Sequence, residues 1–227
     1  MSTVTVSTPG MIAAAGRRAA RLGIDPRDLD RRRRSGRAVV IDTRPADVFD
    51  AGHIPGALSV TGEIGWGALA ALLPSGATVA VVGATPDDAR WAAFRIADRV
   101  AGCAPSLLAG GFSRWRRHGL PVERGLAIDP ERAAGQLVQG GVALIDVRPA
   151  SEYAQAHVVG SINVPIDEWT APRRALPRLP LMVAAATGEA AATAASLFRA
   201  AGHGCVWRVD SGGIEAMLDA GAAPPIR

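Results

Sequence analysis

Lysine is missing from this 227-residue chain, and all 25 of its basic residues are arginine. Alanine and glycine are abundant, so the bias reads as a property of composition before it reads as function. Cysteine is nearly absent as well. With Cys103 and Cys205 alone, neither a disulfide framework nor a zinc cluster can be assembled, no metal or other cofactor is expected, and a reducing cytoplasm is the expected compartment. Long apolar runs are lacking too. Runs such as Ala77 to Ala84 and Leu181 to Ala186 fall far short of the roughly 20 residues that cross a bilayer, so no membrane partner is expected. Aromatic residues make up only 4% of the chain. Nucleic-acid binding is therefore not expected in spite of a formal charge of +4, because stacking groups and a reading motif are both missing. The run Arg31-Arg32-Arg33-Arg34 is expected to be a solvated helix C-terminus, where cations favour the dipole.

What the chain does have is a duplication. Ile41-Asp42-Thr43-Arg44-Pro45-Ala46, with His53 and Gly56, returns 104 positions later as Ile145-Asp146-Val147-Arg148-Pro149-Ala150, with His157 and Gly160. The same offset joins Ile24-Asp25-Pro26 to Ile128-Asp129-Pro130, so the register is long enough to mark a repeated domain. Two domains are expected, over 24–125 and 126–227, each long enough for its own core. Residues 1–23 are expected to be a tail leading into a helix around Met11 to Leu22. Arg17, Arg18 and Arg21 follow its alanine stretch, the wrong order for a secretory signal, while an amphipathic transit peptide stays compatible with the composition.

Each repeat alternates strands and helices. Asp25 and Asp129 cap helices that carry Pro at the first position. Buried strands are expected at Val39 to Ile41 and Val142 to Ile145, then short helices at Asp47 to Ala51 and Ser151 to Ala156. Small strands follow at Leu58 to Val60 and Ile162 to Val164. The strongest strands, Thr78 to Val82 and Leu181 to Ala184, lead into long helices at Asp88 to Val100 and Ala190 to Ala201. These stop at Gly102 and Gly202. Last strands at Ser106 to Leu108 and Val206 to Val209 precede Gly-Gly turns and helices at Phe112 to His118 and Ile214 to Ala220. A short linker is expected around Val122 to Ile128, with the two repeats packing on each other through an apolar face. The alternation predicts an α/β fold, each repeat a central, mostly parallel sheet flanked by helices.

Several motifs in this order carry a family resemblance. Repeat one has Asp42, Arg44, Phe49, Gly52-His53-Ile54-Pro55-Gly56-Ala57, Gly110-Gly111-Phe112-Ser113-Arg114-Trp115 and Gly119-Leu120-Pro121. Repeat two keeps Asp146, Arg148, Tyr153, His157, Gly160 and Gly212-Gly213, with Ala156 for the first glycine and Met217 for the tryptophan. The pattern resembles the rhodanese family in its tandem two-domain form. The resemblance implies two rhodanese-like domains and, in catalytic members, a cysteine after the central strand, heading a loop whose N–H groups stabilise a thiolate or persulfide.

Neither repeat has that cysteine. The corresponding stretches run from Val81 to Arg90 and from Val183 to Ala190, and by strand ends Gly83 and Ala185 stand where the nucleophile would be. Ala84 and Thr85, and Ala186, Thr187 and Gly188, would be the remnants of the anion cradle. Cys103 and Cys205 fall before strands, at the opposite edge of the sheet from the C-terminal strand ends where ligands gather. Asp87, Asp88 and Glu189 bring negative charge to loops that would receive an anion. Thr85 and Thr187 have no evident general base to activate them. His53 and His157 are expected to hold turns near the sheet edge, and Asp42 with Arg44, like Asp146 with Arg148, to form buried pairs that brace the loops. Trp115 and Trp207 fit core packing, whereas Trp66 and Trp169, if exposed, would contact a partner or ligand.

The reading that follows is a non-catalytic binding or regulatory module whose partner is a protein or a small anion. The alternative is a sulfurtransferase using thiosulfate, 3-mercaptopyruvate or a persulfide donor. A third reading is a small-anion sensor with Thr85, Thr187 and Gly188 as contacts.

Overall fold

The computed structural model describes residues 21–61, 73, 76–100, 102–166, 176–210 and 213–221. Repeat one runs β1 (Arg21–Ile24), α1 (Pro26–Arg34), β2 (Ala38–Asp42), α2 (Ala46–Ala51), β3 (Leu58–Ser59), β4 (Thr78–Val82), α3 (Pro86–Arg99), β5 (Ser106–Leu108) and α4 (Gly111–Arg117). Repeat two runs β6 (Leu126–Ile128), α5 (Pro130–Gln139), β7 (Ala143–Asp146), α6 (Ala150–Gln155), β8 (Ile162–Asn163), β9 (Leu181–Ala184), α7 (Gly188–Ala200), β10 (Val206–Val209) and α8 (Gly213–Asp219). The five-stranded sheets have the same order, β1-β5-β4-β2-β3 and β6-β10-β9-β7-β8. β4 lies between β2 and β5, and β9 between β7 and β10, in parallel register. Buried on both faces, the central strands are continuous apolar runs and not alternating ones, as in Val79–Val82 and Leu181–Ala184.

Two expectations change here. The segment expected as a linker contains β6, whose three residues pair with Trp207, Arg208 and Val209 of β10. At the other end, residues 21 and 22 belong to strand β1 and not to a helix; the rest of that helix, with the first 20 residues, lies outside the described residues. Both strands are short and sit at the edge of their sheets. Pairing with one neighbour defines them, and a stretch of three or four residues carries too little periodicity to be read alone.

The helix starts follow from capping chemistry. Asp25 accepts a hydrogen bond from Arg27 N and Asp129 from Arg132 N, both at 2.9 Å, each before a proline at the first helical position. That backbone N–H bond holds the Asp25 carboxyl below its ordinary value, against an opposing effect of burial.

The chain divides into two compact units that do not coincide with the sequence repeats: 1–43 with 74–120, and 44–73 with 121–227. In the second unit, α7 is buried at every position from Ala190 to Phe198. Alanine at five of these nine positions lets α2 and β3 approach it closely, and Ser59 N donates to Ser196 Oγ at 3.0 Å. α3, its counterpart in the first unit, buries only the stripe Ala89, Ala92, Ala93 and Ile96. The core of repeat two gathers Leu144, Val158, Met182, Val209 and Met217. Met217 fills the place that Trp115 takes in repeat one, and both are fully buried, so the aromatic-to-thioether exchange keeps the position apolar and packed.

Candidate functional site

At the C-terminal end of β4, the connection to the cap of α3 is two residues, Gly83 and Ala84; at the end of β9 it is Ala185 and Ala186. Gly83 has no space for a side chain. A Cβ placed there would lie 2.5 Å from Ala89 N and 2.9 Å from Thr85 O, both backbone atoms that cannot swing aside. Ala185 has a Cβ and is buried, with Gly213 pressed against its carbonyl: a Cβ on Gly213 would stand 1.8 Å from Ala185 O. This close approach, at a φ of +48°, is what requires glycine at the start of α8. Ala84 and Ala186 are exposed.

Thr85 and Thr187 are the N-caps of α3 and α7. In repeat one the cap is closed on itself. Thr85 Oγ1 accepts from Asp88 N (3.2 Å), while Asp88 Oδ2 accepts from Thr85 N (2.9 Å) and from Thr85 Oγ1 (2.8 Å). Asp88 thus acts as the internal partner of the donors that an external anion would use, and Asp87 pairs with Arg90. The Thr85 hydroxyl does have a neighbouring carboxylate, contrary to the sequence expectation, because the capping box needs one three residues on. In repeat two the third position is Ala190, whose N–H bonds Thr187 Oγ1 at 3.2 Å; Gly188 is the first residue of α7 and Glu189 is exposed.

The two histidines are latched into their turns. His53 Nδ1 lies 2.8 Å from Phe49 O, and His157 Nδ1 lies 2.9 Å from Tyr153 O. A carbonyl only accepts, so Nδ1 carries the proton in both. Each ring also stacks on the aromatic four residues before it, with centroids 3.7 Å and 4.1 Å apart. His53 is fully buried, with Nε2 3.9 Å from Glu123 Oε2.

Asp146, fully buried at the end of β7, receives Arg148 Nε at 3.0 Å and Nη2 at 2.7 Å; the same guanidinium donates to Ala156 O at 2.7 Å. Burial acts to lower the Arg148 pKa, but the bonds and charge of Asp146 outweigh it and hold the group above its ordinary value. Asp42 and Arg44 are likewise buried, and Arg44 Nη2 donates to Gly52 O at 2.8 Å. Arg44 and Arg148 thus brace backbone carbonyls of the turns that follow.

The cysteines lie at the other end of the strands. Cys205 O accepts from Leu181 N at 2.9 Å, beside the start of β9, about 13 Å of strand away from Ala185 at ~3.3 Å per residue. Cys103 precedes β5 in the same way. It is partly buried, which pushes its thiol pKa up. Trp207 packs on the core of repeat two and Trp115 is buried; Trp66 and Trp169 lie outside the described residues. Sequence reading missed Trp91, which is 49% exposed on α3 with the Arg95 guanidinium 4.6 Å from its ring centroid. Its signal was helical spacing, since it falls opposite the buried stripe of α3.

No helix among the described residues is long and apolar enough to cross a membrane, and no group of three or more metal-ligating side chains occurs among them.

The rhodanese-like domain profile matches residues 25–118 and 129–220. The chain belongs to the rhodanese-like domain family, in tandem. A curated relative, the HTH-type transcriptional regulator Rv0324 of Mycobacterium tuberculosis, is 38% identical over 106 residues, which cover 44% of this chain and 44% of the relative. The chain therefore matches less than half the length of that relative. Among solved structures, the rhodanese-like domain of the Anabaena protein Alr3790 is 26% identical, covering 42% of this chain and 75% of that one (TM-score 0.39). The 3-mercaptopyruvate sulfotransferase SseA of Escherichia coli is 19% identical, covering 84% and 98% (TM-score 0.38).

Proposed function

We propose that this chain is a tandem rhodanese-like module that binds or regulates and does not transfer sulfur. The observation that carries the reading is the space at the strand ends. Gly83 stands at the nucleophile position of repeat one, with backbone packed where a Cβ would go. Ala185 stands at that of repeat two, and the two thiols of the chain sit at the opposite edge of the strands. A sulfurtransferase needs a thiolate beside N–H donors, and in repeat one Thr85 N donates to the Asp88 carboxylate and Asp88 N to Thr85 Oγ1. The small-anion reading is weakened there for the same reason. A protein partner is the better assignment, and it agrees with a relative whose name is that of a transcriptional regulator.

The test is sulfur transfer from thiosulfate and from 3-mercaptopyruvate to cyanide, measured on the native chain beside Ala185→Cys. The reading predicts no turnover by the native chain; activity gained in the variant would mark repeat two as a cradle that lost its nucleophile. Native turnover that survives Cys103→Ser and Cys205→Ser would overturn it.

A further inference from the structure

The arginines after Asp28 do more than complement a helix dipole. Asp28 Oδ1 accepts from Arg31 Nη2 at 2.9 Å and Asp28 Oδ2 from Arg32 Nε at 3.0 Å, so one carboxylate holds two guanidinium groups side by side. Arg32 Nη1 also reaches Thr78 Oγ1 at 3.2 Å, at the start of β4. Across from them Arg37, just before β2, bonds Ser35 Oγ through Nε at 2.9 Å, while its carbonyl accepts from Thr78 N at 3.0 Å. Asp28, Arg31, Arg32, Arg37 and Thr78, with Gly76, line a hollow of about 450 Å³ at the N-terminal ends of β2 and β4. That is the opposite end of the sheet from Gly83. Both terminal nitrogens of Arg37 and the second of Arg32 face no acceptor among the described residues. Three guanidinium groups against one carboxylate leave the hollow with two positive charges.

The duplication supplies an internal comparison. At the same 104-residue offset, Arg31, Arg32 and Arg37 become Gly135, Gln136 and Gly141, and α5 still forms with the same aspartate cap and the same Pro at its start. Helix packing therefore does not demand these arginines. Composition bias does not place them either, since it acts on both repeats. Arg33 and Arg34 are tied to Asp30, so the arginine run divides into a pair that locks the helix and a pair turned to the hollow.

We propose that this hollow binds a small ligand carrying two or more linked phosphates, such as pyrophosphate or the phosphates of a nucleoside di- or triphosphate. Planar guanidinium forks match phosphate oxygens bidentately, two net charges favour a polyanion over a single carboxylate, and the volume is that of a small-molecule site. The site is independent of the binding role argued above, and either can fail without the other.

The experiment is calorimetric titration of the full chain with pyrophosphate, ATP, orthophosphate and a duplex oligonucleotide. It is repeated on Arg32→Gln, Arg37→Gln and, as a control on the other repeat, Arg132→Gln. The expected result is saturable binding of pyrophosphate and ATP, weakened about tenfold in Arg32→Gln and Arg37→Gln, as loss of one charge-assisted bond implies, and unchanged in Arg132→Gln. Absence of binding, equal binding by all variants, or orthophosphate bound as tightly as pyrophosphate would overturn the proposal. So would an oligonucleotide bound more tightly than ATP through the same arginines, which would assign the surface to nucleic acid.

Discussion

Arg208 of β10 and Asp50 of α2, 158 residues apart in sequence, form a buried ion pair inside the second compact unit. Arg208 also donates to Asp210 Oδ1 at 2.7 Å, and these bonds hold its pKa above the ordinary value although burial acts to lower it. Arg199 nearby is pushed down by its burial, with Glu123 and Asp50 opposing. The backbone is drawn in as well: Gly125 N donates to Asp50 O at 3.0 Å, and a Cβ at Gly125 would collide with the Asp50 carboxylate. Removing one member of such a pair strands the other charge, at a cost of about 3–5 kcal/mol. Arg208→Ala is expected to lose that much stability in urea unfolding, and Arg208→Ala with Asp50→Ala to lose less than the sum of the two single variants. Additive losses would mean the pair is not coupled.

The β4 connection predicts an effect of volume. Gly83→Ala must push a methyl against Ala89 N, and overpacking of this kind costs about 1–3 kcal/mol. Denaturant midpoints of Gly83→Ala and Ala185→Gly separate the cases, since only the first adds atoms where backbone already stands. A Gly83→Ala variant as stable as the native chain would show that the connection yields.

The two caps should differ. Thr85→Ala removes a hydroxyl that both accepts from and donates to Asp88, whereas Thr187→Ala removes one bond from Ala190 N. Losing a threonine cap costs about 0.5–2 kcal/mol, and Thr85→Ala is expected at the upper end of that range. Equal losses would contradict the reciprocal cap.

Much of this was legible in the chain. β4 and β9 were plain because they are continuous apolar runs, and the long helices after them because each runs to a stop signal at Gly102 or Gly202, although both begin two residues earlier than expected, at Pro86 and Gly188. The Thr85 to Asp88 box was missed, although a cap residue with an acid three positions on is its signal in the sequence. β1 and β6 were not legible, since each is short and defined by pairing with a distant strand. The pairing of Asp50 with Arg208 was hidden for the same reason, because no local pattern announces a contact across 158 residues. The crowding at Gly83 needed coordinates, as a glycine in a sequence does not say whether its missing side chain has space.

Thiol chemistry gives a further outcome. Cys205 is exposed, while Cys103 is partly buried with its thiol pKa raised by that burial. Because the thiolate is the reacting form, alkylation near neutral pH is expected to modify Cys205 first, and Cys103 to follow as pH rises. Peptide mapping after timed iodoacetamide treatment checks the order; a faster Cys103 would mean a more activated thiol than its surroundings provide.

The most direct test of the central claim is the intact mass of the native chain after incubation with thiosulfate and removal of excess donor. The account predicts an unchanged mass, because no thiol stands at the ends of β4 and β9. A chain one sulfur atom heavier, restored to its original mass by cyanide with release of thiocyanate, would contradict it and make this protein a sulfur carrier.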